Sequence, residues 1–101
     1  MNSKTDTVVE QHTILKTPAM YAVIIHNDDI TTMEYVVEVL VDIFQKAATD
    51  AAALMMDVHE KGYGVAGVYP FDIAATKKSQ ADLLSAKRGF PLRLTLQEVE
   101  S

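Results

Sequence analysis

The chain has 101 residues, 49% of them apolar and 23% charged, the balance of one small soluble globular domain whose modest core leaves no room for a large enclosed active site. It contains no cysteine, which excludes disulfides, thiolate zinc sites, iron–sulfur clusters and a cysteine nucleophile. Nine Lys and Arg against fourteen Asp and Glu give a net charge of −5, which repels phosphate backbones and leaves nucleic acid an unexpected partner.

Residues 1 to 19 read as a flexible tail, rich in Ser, Thr, Lys, Asp and Gln, and residues 20 to 101 as the core domain. No apolar stretch approaches the roughly 20 residues needed to span a bilayer, and no basic segment leads into an apolar one at the start of the chain. No membrane partner is therefore expected, and a cytoplasmic location is.

The short apolar run from Met20 to Ile25 has the length and β-branched content of a strand. It stops at His26-Asn27-Asp28-Asp29, turn material because short polar side chains bond nearby backbone amides. From Thr32 to Lys46 the β-branched residues alternate as in a strand. The polar positions decide for a helix, since Glu34, Glu38, Asp42 and Lys46 recur every four residues. Thr31 with Glu34 three positions on reads as a capping box.

A second helix is predicted from Thr49-Asp50 to Glu60 or Lys61, with Gly62 as its stop. Residues 63 to 69 read as a strand with glycines that permit close approach, ended by Pro70. Phe71 to Arg88 fits a third helix with Ile73, Ala81 and Leu84 turned inward and Lys87-Arg88-Gly89 as its cationic end and stop. Leu92, Leu94 and Leu96 alternate with Arg93, Thr95 and Gln97 as in a half-buried final strand. The order strand-helix-helix-strand-helix-strand predicts a single α+β domain, a three-stranded antiparallel sheet packed against three helices.

Three features could carry chemistry. Asn27, Asp28 and Asp29 place a carboxamide and two carboxylates at a strand-to-helix junction, which alone is an ordinary capped turn. Met55, Val58 and His59 share one face of the second helix, a pattern that alone is core packing ending in a hydrogen-bonded histidine. His26 and His59 near two aspartates nominally offer metal ligands, but no H-x-x-x-H spacing, nucleophile motif or phosphate-binding glycine loop accompanies them. No catalytic residue, metal site or cofactor is expected. Carboxylate, amide oxygen and imidazole beside a Met-lined apolar patch suit a cation attached to a hydrophobic side chain, and a free α-amino group on a bulky residue has that description.

The run from Tyr21 to Leu40, then Met55 to His59, Gly62 to Pro70, Ala74 to Lys77 and Pro91 to Thr95, in this order and spacing, resembles the ClpS adaptors. The resemblance spans about residues 20 to 98. It implies an adaptor without catalytic activity that binds N-degron proteins beginning with Leu, Phe, Tyr or Trp and delivers them to the N-terminal domain of the ClpA or ClpC unfoldase. By position, it implies that Asn27, Asp28 and His59 hold the α-amino group, with Asp29 as an orienting neighbour. Ile30, Thr31, Met33, Met55, Val58 and Leu92 line or border the side-chain pocket, Met33 acting as the gate against β-branched first residues. Asp72, Thr76 and Lys77 map to unfoldase docking, and the tail engages the unfoldase during hand-over.

The chain departs from the family where Ile30 replaces a common aromatic residue, Thr32 a frequent Pro and Ala75 a frequent acid. The first bears on preference among aromatic residues, the second on helix entry and the third on docking strength. A monomer is expected. The alternatives are a protein-interaction module with no amine recognition, as a similar helix-covered sheet in the C-terminal domain of the ribosomal stalk protein supports, and a metal-dependent hydrolase using Asp28, Asp29 and His59.

Overall fold

The structure, a computed structural model, describes residues 18–100. Residues 1–17 of the expected tail lie outside the described residues. The elements follow the predicted order: β1 (Met20–His26), α1 (Met33–Asp42), α2 (Ala48–Lys61), β2 (Tyr63–Pro70), α3 (Phe71–Arg88) and β3 (Arg93–Val99). The sheet is antiparallel with β1 in the centre, in the order β2-β1-β3. Strand alternation puts Val23 and Ile25 of β1, Ala66 of β2 and Leu94 of β3 into the core beneath the helices. Val65 and Val68 remain exposed on the other face.

Three local expectations change. The cap of α1 is Thr32, whose hydroxyl accepts the Tyr35 N–H at 3.1 Å, so Glu34 falls in the first turn outside a capping box. Thr31 is committed instead to Asp28. The helix also ends at Asp42 and not Lys46, because the chain turns inward to bury Ile43 and Phe44. Phe44 packs on Tyr69 at 6.5 Å between ring centroids, and Gln45 takes a left-handed φ of 54° to make the exit.

Helix α2 begins one residue early, at Ala48, with no side-chain cap, and Asp50 sits in its first turn where a carboxylate complements the helix dipole. Its stop is Gly62, as predicted, in the left-handed region at φ 95°, where any other residue is strained. In α3 the residues turned inward are Ala74, Ala81 and Ser85, while Ile73 is exposed and Leu84 only half buried. Small side chains let α3 lie close on the sheet, and the Ser85 hydroxyl meets the Tyr35 hydroxyl at 2.8 Å in the core.

Candidate functional site

The link that builds the site is one backbone hydrogen bond. Gly62 turns its carbonyl toward the end of β1, and the Asn27 N–H donates to it at 2.9 Å. This seats the Asn27–Asp29 turn against the last turn of α2, the one that carries Val58 and His59. The third wall is the first turn of α1. Together these elements enclose a cleft of about 410 Å³.

Asn27, Asp28, Asp29, Ile30, Thr31, Met33, Met55, Val58 and His59, all expected from the sequence, line this cleft. Leu92 does not join them; it lies in the core beside Leu94, with 6% of its surface exposed. Thr32, Glu34 and Val36 also line the cleft, the first two read from the sequence only for helix entry and capping and the third not singled out. Val36 follows Met33 by three positions and so shares its face of α1, a spacing that could have flagged it. Val36 and Val58 are almost wholly buried and form an apolar floor, while Met33 and Ile30 are exposed at the rim.

The polar end of the cleft offers acceptors. The Asp28 carboxylate takes three hydrogen bonds from its own turn: Oδ1 accepts from the N–H of Ile30 at 2.8 Å and of Thr31 at 2.7 Å, and Oδ2 accepts from the Thr31 hydroxyl at 2.7 Å. Partial desolvation on its own raises the Asp28 pKa, but these bonds outweigh it and hold the carboxyl below its ordinary value. Among the described residues Asp29 makes no hydrogen bond or ion pair, so its carboxylate is not taken up within the turn. Glu34 adds a third carboxylate, and no Lys or Arg lines the cleft. Two or more carboxylates, a carboxamide oxygen and an imidazole above an apolar floor fit a ligand that donates several hydrogen bonds, carries positive charge and ends in a hydrophobic group.

His26 lies elsewhere. Its Nε2 is 2.8 Å from Thr95 Oγ1 across the sheet, and among the described residues no group of three or more His, Asp or Glu is arranged to hold a metal ion. Among the described residues no helix is long and apolar enough to cross a membrane.

Asp72, Thr76 and Lys77 lie on the first two turns of α3, where with Ile73 and Gln80 they line a separate depression of about 260 Å³. Lys77 is held within the fold: its ammonium donates to the Ile43 carbonyl at 2.8 Å and to Gln45 Oε1 at 2.7 Å, and stands 5.5 Å from the centre of the Tyr69 ring.

Fold and cleft together define a small α+β binding module. The family model for "ATP-dependent Clp protease adaptor protein ClpS" matches residues 16–95. The ATP-dependent Clp protease adapter protein ClpS of Clostridium acetobutylicum is 50% identical over 94 residues, covering 93% of this chain and 92% of the relative. The ClpS of Acetivibrio thermocellus is 46% identical over 97 residues, covering 96% and 98%. Among solved structures, Agrobacterium tumefaciens ClpS2 bound to L-phenylalaninamide superposes with a TM-score of 0.79 at 36% identity, covering 82% of this chain and 100% of that one. The chain belongs to the ClpS family, adaptors of the Clp protease and not catalytic proteases themselves.

Proposed function

We propose that this chain is an N-degron adaptor: its cleft takes the free α-amino group and the bulky first side chain (Leu, Phe, Tyr or Trp) of a substrate, which it delivers to the ClpA or ClpC unfoldase in the cytoplasm without chemistry of its own. The observation that carries this is the union, in one cleft, of a polar end rich in acceptors and without Lys or Arg and an apolar floor of Val36 and Val58. An ammonium has three donors and no acceptor, so it pairs with acceptors drawn from Asn27 Oδ1, the carboxylates and a His59 ring nitrogen. The first side chain then lies on the valines, with Met33 and Met55 beside it. The ligand of the Agrobacterium relative, L-phenylalaninamide, has this chemistry: a free α-amine on an aromatic residue.

In this reading the division between the two aspartates differs from the expectation. Asp28 both holds the turn and supplies charge, and Asp29 is a second amine-facing carboxylate instead of an orienting neighbour. Asp72, Thr76 and Lys77 remain the proposed docking face for the unfoldase, with the Lys77 ammonium already shared with Ile43 and Gln45.

The test is a fluorescence-anisotropy titration with a labelled peptide beginning with free Phe, beside the same peptide N-acetylated. Acetylation removes the charge and two donors and leaves the ring intact. Binding of the free peptide, weakened by at least about tenfold on acetylation, is the expected result, since more than one charge-assisted hydrogen bond is lost. Equal affinities would remove amine recognition and leave the interaction-module alternative.

A further inference from the structure

An ionised carboxylate offers about four acceptor positions, two on each oxygen. In Asp28 both positions on Oδ1 are filled by the Ile30 and Thr31 N–H groups and one on Oδ2 by the Thr31 hydroxyl. One position on Oδ2 is left. Thr31 supplies two of the three bonds and holds both oxygens at once, and it lines the same cleft.

We propose that Thr31 is the positioning residue of the amine site: its N–H and hydroxyl clamp the Asp28 carboxylate so that one Oδ2 acceptor position stays open, in a fixed direction, for the ammonium. This rests on the amine-binding reading above. Without the hydroxyl, Oδ2 gains a second open position but loses its hold, and the carboxylate rotates about the remaining Oδ1 contacts. The ligand must then order the acceptor as it binds, at a cost in affinity. The loss of a donor to the charged form also moves the Asp28 titration up toward the ordinary carboxylate range. The other ionisable groups lining the cleft are Asp29, Glu34 and His59, and these are the same in every variant.

Thr31→Val keeps the shape and the backbone donor and removes only the hydroxyl. Thr31→Ser restores the hydroxyl, and Thr31→Ala provides a second deletion should valine disturb the turn. Two quantities are read on the full chain: the titration of the Asp28 carboxyl carbon by NMR without ligand, and the affinity for the free-Phe peptide across pH 4 to 8. The valine and alanine variants are expected to raise the Asp28 midpoint, to weaken the free-Phe peptide by roughly 3- to 10-fold, the scale of one hydrogen bond, and to move the acidic loss of binding to higher pH. Serine restores all three. An Asp28 titration unmoved by loss of the hydroxyl, or weakened binding that serine does not rescue, overturns the role of Thr31 while the amine reading stands. A wild-type protein that binds free and acetylated peptides alike overturns both.

Discussion

His26 stands one residue before the binding turn, yet its ring belongs to the sheet, bonded to Thr95 and facing Arg93 across the strands. Desolvation first, and the Arg93 charge second, lower its pKa below the ordinary histidine value. The sign follows from linkage. As pH falls below about 6.5 the unfolded chain takes up a proton that the folded chain still resists, so stability declines until the folded His26 is protonated as well. Asp28 acts in a lower window: its depressed pKa supplies stability that is fully present above the ordinary aspartate range near 3.9 and is lost as pH falls through its folded value. Mild acid therefore reports on His26 and strong acid on Asp28. The urea midpoint is expected to drop between pH 7.5 and pH 5.5, and His26→Gln, which keeps a polar partner for Thr95, to flatten that drop. An identical slope in wild type and variant would remove His26 as its source.

At the scale of the elements, the cleft depends on how closely β2 lies against α2. Gly64 of β2 is buried, and a methyl group placed on it would lie 2.8 Å from Val58 Cγ2 and 3.1 Å from Leu54 Cδ1. Val58 is β-branched and almost wholly buried, so it cannot swing aside as a long flexible chain would. Gly64→Ala must push α2 outward, at about 1–3 kcal/mol, the usual range for overpacking. Because Val58 is part of the cleft floor and His59 follows it on the same turn, binding of the free-Phe peptide is expected to weaken with stability. Chemical denaturation and the anisotropy titration on the same variant check this; full affinity in a destabilised Gly64→Ala protein would separate the floor from the β2–α2 spacing. Lys77 has a comparable joining role at the other end of α1, tying Ile43 and Gln45 to α3. A docking partner that takes the Lys77 ammonium has to replace two internal hydrogen bonds, so part of any docking energy goes into that exchange.

At the scale of the whole molecule, what was legible in the sequence is what local chemistry decides. Gly62 and Gly89 end their helices because both adopt positive φ, and apolar runs and alternation, the four-residue recurrence of polar positions and the stop residues together gave the order of all six elements. The end of α1 was not legible, since the Phe44–Tyr69 packing and the Lys77 bonds that draw the chain off the helix come from residues far along the chain. Thr31 and Thr32 are equal as caps until Asp28 claims one of them. The polar end of the site was readable as a cluster, and the resemblance joined it to His59; Val36 was readable from its spacing to Met33, whereas Glu34 in the cleft and Leu92 in the core are set by packing between elements. One property of the site belongs to no single residue. Asp28, Asp29 and Glu34 line a cleft with no Lys or Arg, on a chain of net charge −5. A cationic amino terminus is thus drawn by the field of the cleft before any hydrogen bond forms, which speeds association. These carboxylates lie at or near the surface, so salt screens them: the Debye length shrinks from about 14 Å at 0.05 M to about 4 Å at 0.5 M. Over that range the free-Phe peptide is expected to bind several-fold more weakly, mainly through a slower association rate, while the acetylated peptide changes little. Stopped-flow association at the two salt concentrations reads this directly. An association rate indifferent to salt would mean that only the contacts within the cleft, and not its overall charge, select the ammonium.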